Sequence, residues 1–115
     1  MRRPQANIAQ LEIFEERAGR ARLDELARAL DRELNERRVP AELSPGPALA
    51  VLVASPPAVA ALVECVFGYL AGGAGRSAAV CRGADRFDLP GPSAERRERL
   101  IEWLMERVEL PDSRP

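Results

Sequence analysis

The apolar positions of this chain change period several times, and each change marks a structural element. Leu11-Glu12-Ile13-Phe14-Glu15 alternates apolar with polar, the spacing of a half-buried strand. Beyond Gly19 the period lengthens. Leu23, Leu26, Ala27, Leu30 and Leu34 recur at three- and four-residue steps, which predicts an amphipathic helix over residues 20–36. Asp24 with Arg28, and Glu33 with Arg37, stand at the favourable i,i+4 spacing and form its solvated face. Residues 39–43 read as a second strand, which Pro40 confines to a sheet edge or to its own first residues. Ser44-Pro45-Gly46-Pro47 is a turn or loop.

Between positions 48 and 73 the only charge is Glu64. The run reaches the roughly 20 apolar residues that a membrane helix needs, but Ser55-Pro56-Pro57 divides it. Ser55 suits an N-cap, Pro56 suits the first helical position, and the residue before a proline prefers extended geometry. The division predicts a buried strand at 49–53 and a helix from Pro56 to about Ala71. At 1.5 Å per residue that helix is about 24 Å long, short of a hydrocarbon core about 30 Å thick. A mid-span Glu64 would also be costly in lipid. A water-soluble domain is therefore the preferred reading, with a membrane-associated subunit inserting 48–71 as the alternative.

Gly72-Gly73-Ala74-Gly75 stops the helix. Residues 77–82 and 86–89 flank Gly83-Ala84-Asp85 as a hairpin with a three-residue turn, closed by Pro90-Gly91-Pro92. Ser93 caps a last helix that runs to about Glu109, before Pro111. Residues 1–7 read as a disordered lead, 8–110 as one domain and 111–115 as a tail. The fold class is α+β: a small, mostly antiparallel sheet packed with about three helices, for which a ferredoxin-like arrangement is one solution.

Two helices suggest surfaces. On the 56–71 helix, Val59, Leu62, Val63, Val66, Phe67, Tyr69 and Leu70 cover a wide arc, leaving Ala60, Ala61, Glu64 and Gly68 for the remainder. A helix this apolar is buried on most sides, between the sheet and another helix, or with one flank against a partner. On the last helix, Leu100, Ile101, Leu104, Met105 and Val108 form the core stripe. Trp103 lies off it, near Leu110 and among Arg96, Arg99 and Arg107. Tryptophan with arginine is the composition of an interface hot spot. The alternative is that Trp103 folds over a sheet edge and the arginines cover it.

Charge and composition narrow the chemistry. Seventeen basic and eighteen acidic residues nearly cancel in 115, so no global field draws the chain to nucleic acid. Every basic residue is arginine, and histidine is absent. Lysine Schiff bases and histidine general bases are thereby excluded. The GGAGRS run at 72–77 lacks the Walker spacing and its lysine. Cys65 and Cys81 form no CxxC pair and no zinc cluster. The basic start leads into polar residues and not an apolar signal core. Reduced thiols in a cytoplasmic protein follow, with a Cys65–Cys81 disulfide as the alternative in an oxidising compartment. The expectation is a non-enzymatic protein without cofactor or metal that binds a protein partner, itself or another. A small-molecule-binding regulatory domain is the remaining alternative.

The succession SPGP, VASPPAVAALVECVFGYLA, a Gly-rich spacer, the hairpin AAVCRGADRFDL and a closing helix resembles the effector-associated constant component family of small actinobacterial proteins. It departs from that pattern at Pro56-Pro57 and in lacking a Pro-Asp-Gly turn. The resemblance implies a non-enzymatic component of a multi-part bacterial conflict or defence system. Such a component would couple a trigger, such as a protease-like part, to an effector.

Overall fold

The computed structural model describes residues 8–106; the lead at 1–7, Arg107, Leu110 and the tail lie outside them. The elements are β1 (Ile8–Glu15), α1 (Arg20–Glu36), β2 (Ala41–Ser44), β3 (Ala48–Leu52), α2 (Pro56–Ala71), β4 (Arg76–Arg82), β5 (Asp85–Leu89) and α3 (Ala94–Met105). The strands form one antiparallel sheet in the order β2-β3-β1-β4-β5. This is an α+β fold, and its first six elements follow a βαββαβ succession with which the ferredoxin-like expectation is compatible.

Both long helices occupy the residues predicted for them. Ser55 accepts a hydrogen bond from the Ala58 amide at 3.3 Å, and Pro56 takes the first turn, where a missing N–H costs nothing. Ser93 does the same for α3 through the Arg96 amide. α1 ends in a Schellman turn: the Val39 amide reaches the Leu34 carbonyl and the Arg38 amide the Asn35 carbonyl. The residue in the left-handed conformation there is Arg38, at φ +67°, in a place that favours glycine.

Strand boundaries differ from the expectations. β1 begins three residues earlier than Leu11, because Ile8 and Gln10 pair with Leu52 and Ala50. The β4–β5 turn has two residues, not three: Arg82 pairs with Asp85, leaving Gly83-Ala84 between them. Gly83 at φ +61° occupies the first central position, where a type II′ turn takes glycine. β2 is an edge strand starting just after Pro40, as that proline requires.

The core lies on one side of the sheet. Leu11 and Ile13 of β1, Leu49 and Val51 of β3, and Val80 of β4 point into one cluster with Leu30, Leu34, Leu62, Val66, Leu100 and Leu104. Ala48 and Ala79 are buried but stand outside that cluster, since strand alternation turns them to the opposite face. α2 is the middle helix, touching α1, α3 and β4. Arg97 of α3 lies 6.0 Å from the Phe67 ring centroid of α2. Truncating Leu62, which is fully buried, to alanine is a change of the class that costs about 2–5 kcal/mol.

A polar latch joins one end of the sheet to the helices. Glu15 accepts from Arg22 Nε and Arg76 Nε, each at 3.0 Å. Arg76 Nη1 donates to the Tyr69 carbonyl at 2.9 Å, and its guanidinium lies 4.8 Å from the Tyr69 ring centroid. The Tyr69 hydroxyl donates to the Phe14 carbonyl at 2.6 Å. Two glycines of the 72–75 run lie against the Arg76 side chain of this latch. A Cβ at Gly72 or Gly73 would stand 2.8 or 2.9 Å from the Arg76 guanidinium. Gly75, at φ +74°, would place one 2.8 Å from Glu16 Cβ.

Hydrogen bonds from Arg22, then Arg76, hold the Glu15 carboxyl below the usual carboxylate range. A carboxyl with a lowered folded pKa stabilises fully above its unfolded value, and that contribution fades as pH falls through the folded value. The wild-type urea midpoint should therefore drop across this acidic window more than that of Glu15→Gln, which starts lower at neutral pH. Parallel curves would refute the latch. Arg38→Gly should raise stability by about 1 kcal/mol in the same assay by relieving the left-handed arginine.

Candidate interaction surfaces

The outward side of α2 is a narrow strip. Pro57, Ala60, Glu64, Gly68 and Ala71 are exposed, while Val59, Leu62, Val63, Val66, Phe67 and Leu70 are buried. The structure thus brings together Ala60, Glu64 and Gly68, with Ala61 half-buried at the margin. The wide apolar arc is covered from three directions, by the sheet, α1 and α3. Glu64 is held by Arg37 at the end of α1, whose guanidinium also reaches Glu33 at 3.5 Å. Among the described residues, Gly68 meets nothing within 4 Å of an added Cβ, so no packing there calls for a glycine.

The tryptophan patch has a different geometry. Trp103 is half-buried against the core, its ring centroid 5.4 Å from that of Phe87 on β5 at a 45° tilt. It thus packs against the edge strand β5. Arg96 Nη1 donates to the Asp88 carbonyl on that edge strand at 3.2 Å, removing an acceptor to which a foreign strand could bond. Arg99 pairs with Glu95 at 3.1 Å, one turn away on the same helix. Arg107 and Leu110 lie outside the described residues. α3 meets α2 through Arg97 and Phe67, and β5 through Trp103 and Phe87.

The opposite sheet edge is protected in a similar way. Asn35 Nδ2 donates to the Ala41 carbonyl of β2 at 3.3 Å, and Pro40 removes an amide just before that strand. Among the described residues, two large apolar side chains remain notably exposed, Phe14 and Leu43. Neither attracted notice in the sequence, where each sits in a plausible strand.

Cys65 and Cys81 are free thiols separated by the sheet, which removes the disulfide alternative. Cys65 belongs to the core on α2, and Cys81 lies half-buried on the other face. Burial pushes the Cys65 thiol up to about 11, and Glu33 nearby adds to the shift. Burial also raises Cys81. Among the described residues, no group of three or more acidic or cysteine side chains is arranged to hold a metal ion. None of the described helices is long and apolar enough to cross a membrane. In a Cys81→Ser background, Cys65 should react with a thiol reagent at neutral pH only at the rate of unfolding, accelerating with denaturant. Prompt labelling of native protein would contradict its burial.

Set against known proteins, the chain matches no family model, no curated protein and no solved structure.

Proposed function

We propose that this protein is a non-catalytic adaptor that holds a protein partner along the outward strip of α2. The setting is the one that the sequence resemblance implies: a multi-component bacterial conflict system in the cytoplasm, where this part links a trigger to an effector. The observation that carries the reading is Gly68. A glycine in a helix interior costs about 1 kcal/mol relative to alanine, and nothing among the described residues compensates for it. A partner backbone approaching the strip of Pro57, Ala60, Gly68 and Ala71 supplies a reason for that cost, because small residues permit close contact. Glu64, tethered by Arg37, offers a fixed pair of charges at the centre of the strip. Arg96 and Trp103 are engaged with β5, so the partner surface is assigned to α2 and not to α3.

Two measurements test the assignment. In the isolated protein, Gly68→Ala should raise stability by about 1 kcal/mol, several degrees in Tm. In co-expression with the products of adjacent genes, the wild type should retain one of them on affinity capture. Ala60→Arg should abolish that retention without altering the circular dichroism spectrum. Retention that survives Ala60→Arg, or no retained neighbour at all, would overturn the proposal.

A further inference from the structure

The second face of the sheet is covered by none of the described helices, and its register has a property that no single strand reveals. Two rows of side chains cross it. One runs Glu42, Ala50, Gln10, Cys81, Arg86, and the next runs Ser44, Ala48, Glu12, Ala79, Asp88. The interior of both rows is small or uncharged apart from Glu12. At the β5 end, Arg86 Nε binds Asp88 at 2.8 Å and Nη1 reaches Glu12 at 3.1 Å.

We propose that this face docks on a second copy of the chain across a twofold axis that lies perpendicular to the strands, midway between the two rows. Such an axis sets each row on the other row of the second copy. Arg86 then faces Asp88 of the second copy and Asp88 faces its Arg86, an alternating four-charge arrangement. Gln10 comes over Glu12 of the second copy and donates to it. Half-buried Ala50 and Cys81 come over the positions of Ala48 and Ala79, which are already buried within their own chain, so the small Ala50 and Cys81 side chains set how closely the sheets approach. Glu42 meets Ser44 at the rim. Every contact occurs twice, as an isologous interface requires.

The same axis accounts for Phe14, which lies on this face by strand alternation and is 40% exposed. Phe14 stands two residues beyond Glu12, and Ile8 stands two residues before Gln10. The axis therefore brings Phe14 over Ile8 of the second copy. Ile8 lines an open recess of about 410 Å³ with Pro40, Ala50 and Leu52. An exposed aromatic ring and a recess that is mostly apolar, with Asn35 and Glu42 also in its lining, thus sit at the two positions that one symmetry operation superimposes.

The size of the contact sets its strength. Five strands spaced about 4.8 Å apart, each about six residues long, give a face of about 24 by 20 Å. Two such faces bury on the order of 1,000 Å², the lower end for specific association. A reversible, concentration-dependent dimer follows. Aligned sheets crossing at about −30° accommodate it without new backbone hydrogen bonds.

Sedimentation equilibrium over a wide concentration range should show a monomer–dimer system. Phe14→Ser removes an exposed ring and leaves the Phe14 carbonyl in place for Tyr69, so the fold is retained; its dissociation constant should rise at least tenfold. Arg86→Asp should weaken the dimer similarly by setting two acidic pairs against each other. Exchanging both charges, Arg86→Asp with Asp88→Arg, should restore it to near wild type, an outcome that a merely structural role for Arg86 does not produce. Cys81 labelling should slow as wild-type concentration rises and should be independent of concentration in Phe14→Ser. Ala60→Arg, on the other side of the molecule, should leave the dimer unchanged. A monomer at the highest soluble concentration overturns the proposal. So does a dimer indifferent to Phe14→Ser, or an exchanged pair as weak as the single substitution.

Discussion

Val59, Leu62, Val66 and Leu70 give α2 an apolar surface too wide for a sheet alone to cover, and the rest of the architecture answers that constraint. The helix has to be flanked on both sides as well as from below. α1 and α3 take the flanks, and the core faces of β1, β3 and β4 lie beneath. Three helices committed to one side of a five-stranded sheet leave the other side without a helical layer among the described residues. The open face of small residues is thus a consequence of how α2 is enclosed. Among the described residues no further element covers the second face.

The helices were legible because their signals are local. Ser55-Pro56 and Ser93 state where α2 and α3 begin, and the 3.6-residue period of Leu23, Leu26, Leu30 and Leu34 spans α1 completely. The β4–β5 turn was misread by one residue because Asp85 looks like a turn residue until it pairs with Arg82. The start of β1 was missed because Ala9 provides little contrast between Ile8 and Gln10. The Gly72–Gly75 run was recognised as a stop but not as the space that the Arg76 side chain occupies, since Glu15, Tyr69 and Arg76 lie far apart in sequence. That latch is a tertiary fact with no pattern of its own.

The surfaces divide along the same line. The α2 strip of Ala60, Glu64 and Gly68 could be read from a helical wheel, because one element carries all of it. Trp103 could not be resolved that way. A wheel separates it from the core stripe but cannot distinguish solvent from the edge of β5, and Phe87 was the missing neighbour. The open sheet face was invisible for a stronger reason. Its residues come from five strands, most are alanine, serine, glutamine or glutamate, and their meaning depends on strand order and register. Only with Glu12 set beside Ala79 and Asp88 does a row appear that can be laid on another.

The two proposed surfaces lie on opposite sides of the molecule, α2 outward from the helical layer and the open face on the far side of the sheet. Occupying one leaves the other free, so a dimer through the sheet would present two α2 strips facing away from each other. Two strips on one assembly gain by effective concentration whenever the partner is itself multivalent. A contact of modest area is suited to that arrangement, because it forms only once the local concentration of chains has risen. The weakness of a small interface then serves as a threshold: an adaptor of this geometry would be monomeric when scattered and paired when gathered by its partner.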